Sequence, residues 1–353
     1  MGCEYVKVST RVKAALLLLS MGMVAACGSG GSSAKGSGQL VFVGAGGSYQ
    51  AAQQKAFLEP YSKSTGVKIR QDSPLNYPKL RAMVDAKNVT WDVMEALPQF
   101  AIAHCGKYLE KIDYNVVDVS GVDKKLVSDC AVPDMRSGYM LTYNTKKYGA
   151  NGPKSWADFF DTKKFPGTRG VMNQANQGNL EIALLADGVK PADMYPIDYA
   201  RAFRKLDSIR KDTVFLSTGA DQQQALSTGR VDMMMATWPG RAYDAEKQGA
   251  SLTAVWNQPL LYWDVLVVPK GTKNKAEAMK FLATVVSAEA QTRLAEAYAY
   301  APINDGSKPN LTDLQQKYIP HGQDNGTGFW RNEDWWAKNL DDATAKWTKW
   351  AAG

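Results

Sequence analysis

Residues 229–269 read GRVDMMMATWPGRAYDAEKQGASLTAVWNQPLLYWDVLVVP and contain two apolar runs separated by a polar one. The first run, 231–237, predicts a buried strand that ends just before Trp238 and the sequence Pro-Gly-Arg. The polar run predicts a helix, and residues 262–268 predict a second strand that opens with Tyr-Trp-Asp. Two strand ends therefore present aromatic rings with one Arg and one Asp, which is typical of a pocket for a small, partly charged organic molecule.

The composition of the chain limits the classes of partner. The chain has 353 residues and is 45% hydrophobic, enough for a sizeable core and for two domains. Its formal net charge is +7, but the basic residues are dispersed and form no block of five or more. Neutralising phosphates needs such a basic patch, so the composition argues against a nucleic-acid partner.

The N-terminus has the pattern of a targeting segment. Residues 7–13 carry three basic side chains, and the apolar run 14–26 is too short to span a bilayer. Small residues directly before Cys27 resemble a bacterial lipobox, which implies a signal peptide over 1–26, a lipid on Cys27 and a flexible Gly/Ser-rich tether over 27–38. The alternative is an ordinary secretory peptide with a cysteine near its cleavage site.

Two cysteines remain once the signal peptide is removed and Cys27 carries lipid. They are Cys105 and Cys130, an even pair in an oxidising compartment. We predict a disulfide between them, with two buried free thiols as the alternative.

The first part of the mature chain predicts an α/β fold. Residues 40–43 predict a strand, and the Gly-rich sequence that follows leads into a helix to about residue 65, with Ser48 as its N-cap. Residues 67–71 predict the next strand, so the chain starts with a βαβ unit and a parallel sheet. The Gly-rich turn reads GAGGSY and not GxGxxG, so no nucleotide cofactor is expected, and no other cofactor either.

The last helix carries an apolar stripe. Five residues recur at spacings of 4, 3, 4 and 3: Trp336, Leu340, Ala343, Trp347 and Trp350. This helical spacing favours a row of core side chains over an exposed tryptophan platform for carbohydrate.

Several local patterns occur in an order that resembles one family. They are the lipobox, the βαβ start, GYMLTYNTKKY, SWADFFDTKKFPG, GRVDMMMATWPGRA, YWDVLVVPKGTKNKAEAMKFL and the Trp-rich final helix. In this order they resemble the periplasmic solute-binding proteins of ABC importers, in the spermidine/putrescine-binding branch, over essentially the whole mature chain. The resemblance implies a type II periplasmic-binding-protein fold, with two lobes that each contain a mixed, mainly parallel sheet flanked by helices.

The resemblance also implies how the protein works. Ligand binds in a cleft between the lobes, the lobes close around it by a hinge motion, and the closed form docks on the permease subunits of the importer. The expected lobes are 39–139 plus 264–303 and 140–263 plus 304–353, and 138–143 forms a strand where the chain first crosses between them. We expect a monomer in the periplasm, anchored to a bacterial membrane through its lipid.

The expected ligand-binding residues come partly from the resemblance and partly from the residues themselves. They are Ser48, Tyr49, Asn173, Trp238, Arg241, Tyr262, Asp264 and Tyr300. Asp264 matches the family's ammonium contact, whereas Trp263 is expected to point to the other face of its strand because side chains alternate.

The chain departs from the polyamine binders at two places. The loop 173–179 reads NQANQGN and has no acid where those proteins carry carboxylates, and Arg241 has no counterpart in them. A buried ammonium group without an anionic partner is costly to desolvate, so a site that has acids at only one end suits a polyamine poorly. Asp264 with Arg241 would suit a zwitterion, so we expect an amino-acid-like molecule such as an ω-amino acid or an opine in preference to a polyamine.

Two other functions compete with this interpretation. A secreted hydrolase would need a base that titrates near neutral pH, but the chain has only His104 and His321, and His104 adjoins a cysteine expected to be bridged. A ferric-ion-binding protein would use tyrosinates, but the chain has no adjacent Tyr pair. We therefore expect neither an enzyme nor a metal site, and keep the ferric-ion binder as the alternative.

Overall fold

A computed structural model describes residues 38–320 and 326–353. The predicted signal peptide 1–26, the lipid site Cys27 and all of the predicted tether except residue 38 lie outside the described residues. Within the described part, no helix is long and apolar enough to cross a membrane.

The described strands form one sheet in the order β2-β1-β3-β8-β4-β7-β5-β6, with β9 paired to β8. They are β1 (Gln39–Val43), β2 (Lys68–Asp72), β3 (Val93–Ala96), β4 (Ala131–Asn144), β5 (Arg169–Met172), β6 (Thr213–Leu216), β7 (Met233–Thr237), β8 (Leu252–Val267) and β9 (Phe329–Trp330). The outer strands β2, β1 and β3 pair in parallel at one edge, and β6, β5 and β7 pair in parallel at the other. This arrangement confirms the predicted mixed, mainly parallel α/β fold.

Helices connect these strands. They are α1 (Gly47–Gln53), α2 (Glu59–Thr65), α3 (Tyr77–Asp85), α4 (Pro98–His104), α5 (Thr145–Tyr148), α6 (Trp156–Phe160), α7 (Asn179–Ala186), α8 (Tyr199–Asp207), α9 (Gly219–Thr228), α10 (Pro239–Lys247), α11 (Lys275–Val285), α12 (Ala288–Ala297), α13 (Asp313–Lys317) and α14 (Glu333–Ala351). A π-helical turn over Gln54–Leu58 joins α1 to α2, so the predicted first helix is continuous to Thr65. It begins one residue before Ser48, and its N-cap is Gly46 with a φ of 80°, so the prediction of Ser48 as the cap was wrong.

Two long antiparallel strands, β4 and β8, join the halves of the sheet. Besides pairing with each other, β8 pairs with β3 of one half and β4 pairs with β7 of the other. The strands predicted over 138–143 and 262–268 are therefore only parts of β4 and β8, which have 14 and 16 residues. Both halves consequently share the segments that cross between them.

Three residues of the stripe on α14 lie in the core, as predicted, and Leu340 and Trp350 are half-buried against it. Trp336 is fully buried, Trp347 is 2% exposed, and Ala343 between them is fully buried. The indole N–H of Trp336 donates to Glu181 Oε1 at 2.7 Å, so even the polar edge of this ring is used inside the protein. A helix row of this kind stabilises the fold and offers no platform for a sugar.

Cys105 and Cys130 form a disulfide with a Cα–Cα distance of 5.4 Å. The bond joins the end of α4 to the residue that precedes β4. It closes a loop of sequence separation 25, so it limits the freedom of the unfolded chain in that segment.

Replacing both cysteines, in a Cys105→Ser/Cys130→Ser variant, should lower the free energy of unfolding by about 3 kcal/mol, because the open loop has more conformational entropy when unfolded. Urea unfolding of the wild type with and without a thiol reductant, and of the variant under both conditions, measures this. Reductant should destabilise the wild type and leave the variant unchanged. A wild type whose unfolding does not respond to full reduction would contradict the prediction.

Candidate functional site

A cavity of about 430 Å³ lies beside the two crossing strands and is lined by both halves of the sheet. Its aromatic lining consists of Tyr49, Tyr77, Tyr139, Trp238, Tyr262, Tyr298 and Tyr300. Its polar side chains are Glu95, Gln174, Gln177, Ser217, Thr218, Arg241 and Asp264. An aromatic enclosure with a few polar groups is the usual composition of a site for a small organic ligand.

The structure brings most of the sequence-predicted site residues to this cavity. Those that line it are Tyr49, Trp238, Arg241, Tyr262, Asp264 and Tyr300. Ser48 and Asn173 are not part of the lining, and the side-chain oxygen of Asn173 accepts a hydrogen bond from Trp347 Nε1 at 3.0 Å. Trp263 points to the other face of β8, as predicted, where its ring contacts Trp330 with centroids 5.6 Å apart.

Three carboxyl groups gather at one end of the cavity. Asp264 on β8 and Glu95 on β3 line it directly. The pairing of β4 with β8 shifts register between Pro133 and Met135, and Met135 is the residue opposite Asp264. The extra residue of this bulge is Asp134, which therefore lies beside Asp264 although it belongs to a different strand.

The hydrogen bonds of this acidic cluster (Glu95, Asp134 and Asp264) leave some of its oxygens without a donor. Asp134 Oδ2 accepts from the hydroxyl of Tyr49 at 2.7 Å and from Gln53 Nε2 at 2.8 Å. Glu95 Oε2 accepts from the backbone N–H of Ala45 at 3.2 Å. Asp134 Oδ1 and Asp264 Oδ1 are buried and have no hydrogen-bond partner among the described residues.

Burial raises the pKa of all three carboxyl groups, and repulsion from neighbouring acids adds to this at Glu95 and Asp264. Desolvation is the largest cause at each of them. The charge of Asp134 raises the pKa of Asp264 further, and the charges of Asp264 and Asp134 do the same for Glu95. Burial raises the pKa of Asp134 to about 6, against the opposing effect of its hydrogen bonds from Tyr49 and Gln53. This end of the cavity therefore favours a cation, which would relieve the repulsion.

Arg241 provides a positive charge elsewhere in the lining. It lies in the first turn of α10, and its Nη1 donates to Gln223 Oε1 at 3.3 Å. The guanidinium approaches α1 of the other half, because a Cβ placed on Gly47 would lie 3.6 Å from Nη1. Among the described residues Arg241 forms no ion pair, so its charge is available to an anionic group in the cavity.

Aromatic contacts fix the walls between the two charged ends. Tyr139 stacks on Tyr262 with ring centroids 4.4 Å apart. Gln177 Oε1 accepts from the hydroxyl of Tyr139 at 3.1 Å and from Trp238 Nε1 at 3.2 Å. One amide oxygen thereby connects a ring on the crossing strand β4 with the ring that follows β7.

Sequence reasoning missed several of these residues. Glu95 is a charged residue inside the apolar strand VMEA, and a buried charge in such a strand is a signal that could have been used. Asp134 gave no signal of this kind, because its position depends on the bulge in β4. Tyr139 and Gln177 contribute through contacts across the fold that no local pattern reveals.

A family model described as bacterial extracellular solute-binding protein matches residues 56–321, well over half of the chain. The chain belongs to this family. As a solute-binding protein it is not an enzyme, so the hydrolase interpretation is rejected. Within the described part of the chain, no group of three or more His, Cys, Asp or Glu residues is arranged to hold a metal ion.

Three similar proteins illustrate the family. The chain is 32% identical to the gamma-aminobutyric acid-binding protein of Pseudomonas aeruginosa, over 89% of this chain and 91% of the relative. A structure described as the Atu4243–GABA receptor superposes with a TM-score of 0.81 at 39% identity, covering 88% of this chain and 97% of the other. The structure of AgtB from A. tumefaciens R10 in complex with agropinic acid has a TM-score of 0.79 at 35% identity, covering 90% and 99%. These solute-binding proteins share the type II fold.

The raised pKa values predict how stability changes with pH in the absence of ligand. At pH values between the ordinary and the raised pKa, the folded protein binds more protons than the unfolded chain. The protonated carboxyl groups therefore contribute fully to stability at low pH, and this contribution is lost as the pH rises. With the pKa of Asp134 at about 6, raising the pH from about 5 to about 7.5 should cost roughly 1–2 kcal/mol from this group alone.

Urea unfolding of the ligand-free protein at both pH values measures this loss, and Asp134→Asn should reduce it. Asp129→Asn is the control, because Asp129 is an exposed acid in a surface pair with Lys111. The prediction is wrong if stability does not depend on Asp134 in this pH range.

Proposed function

We propose that this solute-binding protein of an ABC importer captures a small zwitterion, an ω-amino acid or an opine, with its ammonium group at the acidic cluster and its carboxylate at Arg241. The observation that carries this proposal is the pair of opposite, uncompensated charges in one aromatic cavity. A volume of about 430 Å³ suits a small solute and also leaves room for one larger than a four-carbon amino acid.

The two charged ends also account for closure. In the lobe assignment that we propose, 39–139 plus 264–303 and 140–263 plus 304–353, the acidic cluster belongs to the first lobe and Arg241 to the second. A zwitterion that contacts both ends therefore binds the closed state better than the open one, and this difference in affinity is what shifts the population toward closure. The hinge would lie where β4 and β8 cross between the lobes.

A polyamine suits this cavity less well. Its second ammonium group would have to lie near Arg241 or near the loop 173–179, which has no acid before Glu181. Glu181 itself is fully buried and accepts hydrogen bonds from Trp336 at 2.7 Å and Tyr195 at 2.8 Å. Three similar proteins above 30% identity support this, because the names of two refer to gamma-aminobutyric acid and the third is in complex with agropinic acid.

We further propose that the protein acts as a monomer, tethered in the periplasm by a lipid on Cys27 and feeding permease subunits. The lipobox pattern and the Gly/Ser-rich tether support this proposal. A lipid anchor would keep the protein near its permease without restricting closure of the lobes. The ferric-ion alternative has no observation in its favour.

Arg241→Gln should weaken binding of 4-aminobutyrate roughly 100-fold or more, because the ligand carboxylate loses its partner inside a desolvated site. Butylamine, which has the ammonium group but no carboxylate, should bind weakly to the wild type and no worse to this variant. Asp264→Asn should weaken both ligands. Isothermal titration calorimetry measures all of these affinities.

The matched control is Arg230→Gln, because Arg230 lies outside the cavity and pairs with Asp221. It should leave both affinities unchanged. The proposed function fails if Arg241→Gln binds 4-aminobutyrate as the wild type does, or if the wild type prefers spermidine to every zwitterion tested.

Gly219→Ala should narrow the cavity near Arg241. A Cβ at this position would lie 2.5 Å from Trp238 Cζ3 and 2.9 Å from Arg241 Nε, so both side chains would have to move. We expect the affinity for 4-aminobutyrate to fall about tenfold or more. Calorimetry together with thermal unfolding of the ligand-free variant tests this, and unchanged affinity would show that Trp238 and Arg241 do not set the ligand geometry.

A further inference from the structure

The acidic cluster has more acceptors than donors. Three buried acceptor atoms have no donor among the described residues: Gln53 Oε1, Asp134 Oδ1 and Asp264 Oδ1. Gln53 Oε1 belongs to the amide group whose Nε2 already contacts Asp134 at 2.8 Å. An ionised carboxylate can only accept hydrogen bonds, whereas a protonated carboxyl group also donates one. A proton on the cluster would therefore satisfy acceptors that remain unpaired when all three acids are ionised.

The charges that face the cluster do not neutralise it. The cation whose charge acts on Asp264 is Arg331, which is 3% exposed. Its guanidinium is already bonded to both carboxylate oxygens of Glu333 at 2.7 Å and to Gln99 Oε1 at 2.9 Å. Arg331 and Glu333 therefore form a pair without net charge, and three acids remain without a counterion of their own.

The other groups around the cluster are phenols, and they add no charge. Burial raises the pKa of each of these tyrosines, which are Tyr49, Tyr77, Tyr139, Tyr262 and Tyr300. They are neutral at physiological pH and can at most donate a hydrogen bond, as Tyr49 does to Asp134. Arg241 lines the same cavity, and no described carboxylate pairs with it.

We propose that Glu95, Asp134 and Asp264 share a proton while the cavity is empty, and that the binding of an ammonium-bearing solute displaces this proton into solvent. The exchange is balanced: the cavity gains one positive charge on the ligand nitrogen and loses one on the proton, which is taken up by the buffer. The ligand N–H groups then provide the donors that the carboxyl proton provided before.

Proton release makes the affinity depend on pH. By linkage, the binding constant rises with pH as long as the cluster still has a proton to lose and the ligand amine remains protonated. The inference rests on the proposed function for the ligand's ammonium group, but the proton on the empty cluster is a property of the protein alone. The two can therefore fail separately.

Calorimetric titration of the full-length protein with 4-aminobutyrate at about pH 6, in two buffers with very different ionisation enthalpies, measures the number of protons exchanged. We expect release on the order of one proton per ligand bound, and less in Asp134→Asn. Glu181→Gln is the matched control, because it removes another buried acid that is outside the acidic cluster and bonds to Tyr195 and Trp336. It should leave the ligand-linked release unchanged.

Tight binding with the same apparent enthalpy in both buffers would overturn this inference and leave the proposed function intact. If neither 4-aminobutyrate nor any other zwitterion tested binds, the proposed function fails, and potentiometric titration of the ligand-free protein then tests the shared proton. The wild type should take up more protons than Asp134→Asn as the pH falls from about 8 to about 5. Identical titration curves would overturn the inference whatever the ligand is.

Discussion

The antiparallel pairing of β4 with β8 governs both the sheet and the cavity. These two strands carry the chain between the halves of the sheet, so the cavity beside them is lined by both halves. The bulge in β4 places Asp134 beside Asp264, and alternation along β8 turns Tyr262 and Asp264 to the cavity while Trp263 packs on Trp330 behind it. One strand pair therefore provides a crossing point, an acidic end and part of the aromatic wall.

Burying three carboxyl groups side by side lowers the stability of the protein, and the fold offsets this cost only in part. Arg331 could have neutralised them, but Glu333 and Gln99 take up its hydrogen bonds, so it acts as a buried connection between α4 and the start of α14. Unpaired charge is expensive inside a protein, and a solute with an ammonium group reduces that expense when it binds. An unpaired buried charge of this kind is retained where it contributes to ligand binding.

The parts of the site that could be read from the sequence are those set by local periodicity. Alternation assigned Asp264 and Trp263 to opposite faces of one strand, and the spacing of tryptophans placed α14 in the core. The full length of β8 could not be read, because Asn257, Gln258 and Pro259 interrupt the apolar pattern at the point where its register with β4 shifts. Asp134 was missed for the same reason, since a bulge is a property of two paired strands and not of one sequence.

The class of ligand depends more on the charged side chains of the cavity than on the fold. The resemblance in sequence suggested polyamine binders, whereas two similar proteins above 30% identity are named for gamma-aminobutyric acid and a third is in complex with agropinic acid, on the same scaffold. The acidic end alone would suit any amine, including a polyamine. In the proposed function Arg241 breaks this equivalence, because a cation in the lining of the same cavity disfavours a second ammonium group and favours a carboxylate. Under this proposal, one cationic side chain on α10 turns an amine site into a zwitterion site without any change in the surrounding sheet.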